Sequence, residues 1–271
     1  MSISQTIYDL CPKFERLKEA TQRRDKFIRA LKRGDKKKDR RLAHALAHCN
    51  AHQRCGLPFC PLCVRDLRRS YVLATVTCVE QIRSIAPKLP ITAFSAIPAG
   101  KSYRAPAGKL RRLNFEKLHQ ATQRALQRLN FPVVFAGLDI SLNEDSHRGS
   151  YPYWQIHLYG VVVGMSRKRV RRALEPLYPS HKRIPRPLKV SRCRDLPGTV
   201  SYSIKPYFSR RVSYIGKNKR RNTRRPLYLR APELRELAHF LANYELKHRY
   251  TLIGVRRTET EIVLNSSGQK N

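Results

Sequence analysis

Tyr153-Trp154-Gln155-Ile156-His157-Leu158-Tyr159-Gly160-Val161-Val162-Val163 is the stretch from which the rest of the chain can be read. Aromatic and β-branched residues dominate it and no charge interrupts it, so it reads as a β-strand. Side chains alternate between the two faces of a strand. Trp154, Ile156, Leu158 and Val162 therefore share an apolar face. Tyr153, Gln155, His157 and Tyr159 share the other, a row of groups able to bind a metal or hold a phosphate. A second strand precedes it, Val133-Val134-Phe135-Ala136-Gly137-Leu138-Asp139-Ile140-Ser141. Between the two, Asn143, Glu144, Asp145, Gly149, Ser150 and Pro152 are polar and turn-forming. A hairpin centred on His147 sets Asp139 opposite Gln155, one pair along from His157. A carboxylate, an imidazole and an amide then share one face.

The 271 residues are enough for one domain with an appendage, or for two small domains. Lys and Arg number 56 against 19 Asp and Glu, a formal charge of +37. So large an excess opposes compaction unless a polyanion neutralises it. The apolar fraction, 41%, is too high for a disordered polycation, which leaves nucleic acid as the expected partner. No apolar run approaches the ~20 residues that cross a bilayer. No secretory signal opens the chain, so a cytoplasmic location, in a bacterial cytosol, is expected.

Four of the seven cysteines crowd into Cys49, Cys55, Cys60 and Cys63, and the last two form a CxxC around Pro61. Such a knuckle lets two thiolates reach one Zn²⁺, and Cys49 and Cys55 complete a tetrahedral site, with His48 or His52 as substitutes. The expected role is structural, replacing a core that so short a segment cannot build.

Around these stretches the chain divides into a basic helical arm (1–48), the zinc-binding segment and a helix (49–85), a main domain (91–256) and a tail (257–271). The arm includes the charged run 32–41. Helices are expected over 64–85, 115–129 with Asn114 as cap, 167–177 behind Ser166, and 233–246. Strands are expected at 91–97, 189–191 and 250–255. Exposed cations at Arg167, Lys168 and Arg171, and at Arg210, Arg211, Lys217 and Lys219 in a basic loop over 210–225, are expected to grip nucleic acid.

The order of these parts is a cysteine cluster, a strand ending at Asp139, the Trp154-x-x-His157-x-Tyr159 strand, then Tyr202-Ser203-Ile204-Lys205. It resembles the HUH-type rolling-circle replication initiators and the related zinc-bearing HUH transposases, over roughly residues 49–210. The resemblance implies an α+β fold, a central antiparallel sheet flanked by helices, with the helical, zinc-knuckle segment N-terminal to it. It implies a tyrosine that attacks a DNA phosphate, and Mg²⁺ or Mn²⁺ held by two histidines and an acidic or amide residue. Carried over by position, Tyr202 is the nucleophile and Lys205 handles the phosphate. Trp154 and His157 match the Trp-x-x-His form, and Asp139 matches the acidic position. Tyr159 stands where the second histidine would be, and Gln155 on the same face offers an amide oxygen suited to a hard cation.

The expected function is thus a plasmid or phage type initiator that nicks single-stranded or origin DNA through a tyrosine-phosphodiester intermediate. The alternatives are an HUH transposase and a non-catalytic, zinc-containing nucleic-acid-binding protein. Pro206 is expected to shorten or kink the nucleophile helix. Tyr207 is a rival nucleophile.

Overall fold

A computed structural model describes residues 6–145, 151–181, 184–205, 207–216, 219–222, 227–258 and 261–265. In chain order the elements are α1 (Ile7–Leu10), α2 (Leu17–Lys32), α3 (Lys37–Ala47), α4 (Pro61–Ile85), β1 (Ile91–Ala96), β2 (Arg104–Pro106), α5 (Phe115–Arg128), β3 (Val133–Asp145) and β4 (Tyr153–Val163). There follow α6 (Arg167–Leu174), β5 (Leu188–Arg192), α7 (Leu196–Ser203), β6 (Ser209–Gly216), β7 (Lys219–Asn222), β8 (Leu227–Tyr228), α8 (Ala231–Leu241), β9 (Tyr250–Ile253), β10 (Val255–Arg257) and β11 (Ile262–Leu264).

The fold is α+β. One sheet runs β5-β1-β4-β3-β6-β7, with β2 alongside β4, β9 alongside β3 and β8 alongside β6. Every pairing is antiparallel except β3 with β6. The β3–β4 hairpin pairs Asp139 with His157 and Ser141 with Gln155, two residues away from the expected register. A shift of two leaves every side chain on its own face, so alternation cannot detect it; the turn sets the register. Here β3 continues through Asn143 and Glu144, which belong to the ladder rather than to the turn.

On one face of the hairpin, Leu138, Ile140, Leu142, Trp154, Ile156 and Leu158 are buried beneath α5, α6 and α8. The indole of Trp154 donates to Glu236 Oε2 on α8 at 2.8 Å, so the buried N–H keeps a partner. On the other face, Val133, Phe135, Val161 and Val163 pack against α4 and α7. Farther along that face the side chains turn polar: Asp139, Ser141, Gln155, His157 and Tyr159. The site is the polar half of an otherwise apolar sheet face.

Other expectations change as well. The segment 1–48 does not stand off as an arm: Ala20, Phe27 and Leu31 of α2 join Leu42, Ala43 and Leu46 of α3 in the core shared with α8. Its charged run is the link into α3 and the wet side of an amphipathic helix. The described residues of the basic stretch 210–225 lie in β6 and β7 instead of a loop, because the exposed edge of β3 offers a partner ladder. Lys217 lies outside the described residues, and Lys219 begins β7. Within the expected tail, Ile262–Leu264 returns as β11 on β10, burying Ile262. Finally, α8 ends at Leu241, short of 246.

Candidate active site and metal centre

The cysteine cluster forms where α3 ends and α4 begins. Cys49 follows α3, Cys60 is the N-cap of α4 with Pro61 at its first position, and Cys63 lies one turn in. The Sγ atoms of Cys49, Cys55, Cys60 and Cys63 all lie within 4.8 Å of one another. Cys49–Cys63, Cys55–Cys63 and Cys49–Cys60 are each 3.6 Å apart. That is far from a disulfide bond and close to the roughly 3.8 Å edge of a tetrahedron with metal–sulfur bonds of about 2.3 Å. The four cysteines form a site able to bind a metal such as zinc. His48 takes no part; it stacks on His44 and bonds to the His44 carbonyl. The exposed His52 is also outside the cluster.

The second centre gathers at the end of α7. That helix approaches β3 closely because residue 137 is glycine: a Cβ there would lie 2.1 Å from the Ser203 carbonyl oxygen. The helix is short and stops at Ser203, and Lys205 follows in non-helical backbone; Pro206 lies outside the described residues. Its ammonium reaches back to Asp139 Oδ2 at 2.7 Å and to Tyr159 Oη at 3.3 Å. Arg211 of β6 also donates to Tyr159 Oη, at 3.3 Å. Tyr202, 48% exposed, sets its ring edge-on to Tyr159 with centroids 5.0 Å apart, and Lys205 Nζ lies 4.5 Å from the Tyr202 centroid.

His157 and Gln155 line the deeper part. His157 Nε2 bonds with Ser141 Oγ at 2.8 Å, and its ring stacks parallel to Tyr159. The amide nitrogen of Gln155 is held by the carbonyls of Pro98 and Tyr103, at 3.0 and 3.2 Å. Gln155 Oε1 and Asp139 Oδ1 are buried, and neither has a hydrogen-bond partner among the described residues.

The charges follow from this packing. Burial pushes the His157 imidazole down to about 3, and the Arg211 guanidinium adds to the effect, so the ring is neutral near pH 7. Burial alone would raise the Asp139 carboxyl, but the Lys205 ammonium overrides it and holds it below the usual carboxylate range. Burial works against the Lys205 charge and the Asp139 carboxylate outweighs it, so Lys205 stays protonated. Burial raises the Tyr159 phenol, which keeps its proton while accepting from two cations.

The structure therefore brings together Asp139, Gln155, His157, Tyr202 and Lys205, and adds Arg211. Arg210 is instead tied to Glu144 at 3.0 Å. Arg167, Lys168 and Arg171 are exposed on α6, which packs on the Trp154 side of the sheet, away from Tyr202. Tyr207 carries the Arg23 guanidinium over its ring at 4.7 Å and shares none of the Tyr159 contacts. Sequence reasoning missed Ser141, although its place two residues beyond Asp139 puts it on the same face. It also missed Gly137 and Arg249, whose roles depend on contacts distant in sequence.

Fold and site define an α+β protein with four cysteines placed so that they could bind a metal, and a buried cluster of charged and polar groups beside the exposed Tyr202. No family model matches the chain, and no curated protein or solved structure does either. Among the described residues, no helix is long and apolar enough to cross a membrane.

Proposed function

We propose that this protein nicks and rejoins single-stranded DNA, as a replication initiator of the rolling-circle type, with Tyr202 as the nucleophile. The observation that carries the reading is the exposed Tyr202 phenol beside an ammonium that a buried carboxylate keeps charged. Tyr202 Oη attacks a backbone phosphorus and the bond to the 3′ oxygen breaks. The 5′ phosphate stays on the tyrosine, and the 3′ oxygen leaves as a hydroxyl, taking up the equivalent of the phenol's proton through solvent. Lys205 and Arg211 place fixed positive charge where the phosphate gains negative charge. Tyr159 accepts from both, so its own hydroxyl proton is left to donate to a phosphate oxygen.

The chemistry of the residues present suits a divalent ion. Asp139 Oδ1 and Gln155 Oε1 are buried oxygens with no hydrogen-bond partner among the described residues, the hard donors that Mg²⁺ and Mn²⁺ prefer, and His157 is a neutral imidazole whose Nε2 would exchange its Ser141 bond for the ion. These three residues would hold the ion, and it would polarise the phosphate. Tyr159, in the place of a second histidine, is committed to Lys205 and Arg211. The cysteine cluster is read as structural zinc, since four thiolates leave no open position. The net charge of +37 supplies the sequence-independent grip on DNA, which predicts binding that weakens steeply with salt.

The test is a labelled single strand incubated with wild type and with Tyr202→Phe, then run on a denaturing gel. The reading predicts a protease-sensitive adduct in wild type, none in Tyr202→Phe, and equal binding by both. Tight, salt-sensitive binding with no adduct from any strand would favour the non-catalytic nucleic-acid-binding protein instead.

A further inference from the structure

Arg249 stands between the two centres. It closes the 3-10 turn Leu246–Arg249 just before β9, and its side chain is among the largest fully buried ones, at 1% exposure. Its guanidinium donates to two backbone carbonyls and to no carboxylate among the described residues: Pro58 O at 3.3 Å and Lys205 O at 2.9 Å. Pro58 belongs to the loop between Cys55 and Cys60. Lys205 carries the ammonium held by Asp139. The Phe208 ring packs against the guanidinium at 5.0 Å.

Volume alone does not account for an arginine here, since a methionine would fill the space without desolvating a charge. What arginine adds is a rigid fork that reaches two acceptors at once, one in each centre. We propose that Arg249 is a strut through which metal occupancy of the cysteine cluster positions Lys205, so that the tyrosine centre is assembled only when the knuckle is loaded. The inference rests on the reading of Tyr202 and Lys205 as the reacting pair. Without metal, the Cys55–Cys60 loop keeps, among the described residues, one turn bond, Cys60 N–H to the Leu57 carbonyl, the burial of Pro58, Phe59 and Cys60, and the bond to Arg249 itself. The Pro58 carbonyl is then free to shift, and the arginine that it holds releases the carbonyl of Lys205. Arg249 touches no substrate and acts as a positioning residue.

The experiment follows hydrogen exchange of the peptide containing Lys205 by mass spectrometry, alongside adduct yield and zinc content. It uses full-length wild type and Arg249→Lys, each with zinc, after chelation, and after Zn²⁺ is restored, with Mn²⁺ resupplied throughout. In wild type, zinc removal is expected to speed exchange of that peptide and cut the adduct yield at least tenfold. In Arg249→Lys, which keeps the charge but cannot span both carbonyls, one zinc should remain bound. Exchange should already be fast, adduct already low, and zinc removal should add nothing. Millimolar guanidinium should restore adduct in Arg249→Ala with unchanged DNA affinity. The strut is overturned if zinc changes exchange at Lys205 equally in both proteins, or if the two losses multiply. A wild type that forms no adduct refutes the nucleophile reading, while the exchange comparison still decides the strut.

Discussion

Lys205 Nζ lies 2.7 Å from Asp139 Oδ2 with both side chains closed to solvent, and this contact ties the end of α7 to the middle of β3. Removing one partner strands the other charge in the interior. Asp139→Asn is expected to cost about 3–5 kcal/mol in a urea titration. Asp139→Leu combined with Lys205→Met should recover most of that loss while abolishing adduct formation. Equal stability of the single and double variants would show that the pair is not buried as described.

The approach of α7 to the sheet depends on Gly137. Gly137→Ala places a Cβ 2.1 Å from the Ser203 carbonyl, so the helix end must move. A loss of about 1–3 kcal/mol is expected, with a larger fall in adduct yield than the stability change explains, because Tyr202 and Lys205 move with the helix. Denaturation and gel assays on the same preparation check both parts. Wild-type adduct yield would count against the contact.

Much of this centre was legible because β-strand alternation survives errors of register. Gln155, His157 and Tyr159 share a face whichever residue pairs with which, and Asp139 joins them from a neighbouring strand. The cysteine cluster was legible because its spacing is local. The strands β6 and β7 were hidden, since Arg210 and Arg211 open β6, three of the four residues of β7 are cations, and only the waiting edge of β3 makes them a ladder. The packing of α2 and α3 was hidden by charge in the same way: a few apolar residues per helix suffice once α8 covers them. Arg249 carries no local signal, because its two partners are 191 and 44 residues away in the chain.

His157 gives stability a pH dependence with a definite sign. Its folded value of about 3 lies below the ordinary imidazole value near 6.5, so between these the unfolded chain binds the extra proton. Stability is therefore present above pH ~6.5 and falls as pH drops toward 3, by up to about 1.4 kcal/mol per unit. His157→Gln should flatten the curve of urea midpoint against pH between 6 and 4. An unchanged slope would mean that another group titrates there.

The cysteine cluster can be tested by its own metal content. Cys60→Ser is expected to lose most of the roughly one zinc per chain and to lower the melting temperature, since thiolate binding of zinc contributes directly to folding. Elemental analysis with a melting curve decides it. Full metal content with three cysteines would show that a residue outside the cluster completes the site.

The most direct test of the central claim is peptide mapping by mass spectrometry of the covalent species trapped with a single-stranded oligonucleotide. The account predicts a 5′-linked nucleotide mass on the peptide containing Tyr202, fragmenting at that residue. The same mass on Tyr207, or no covalent species with any strand that the protein binds tightly, would contradict it.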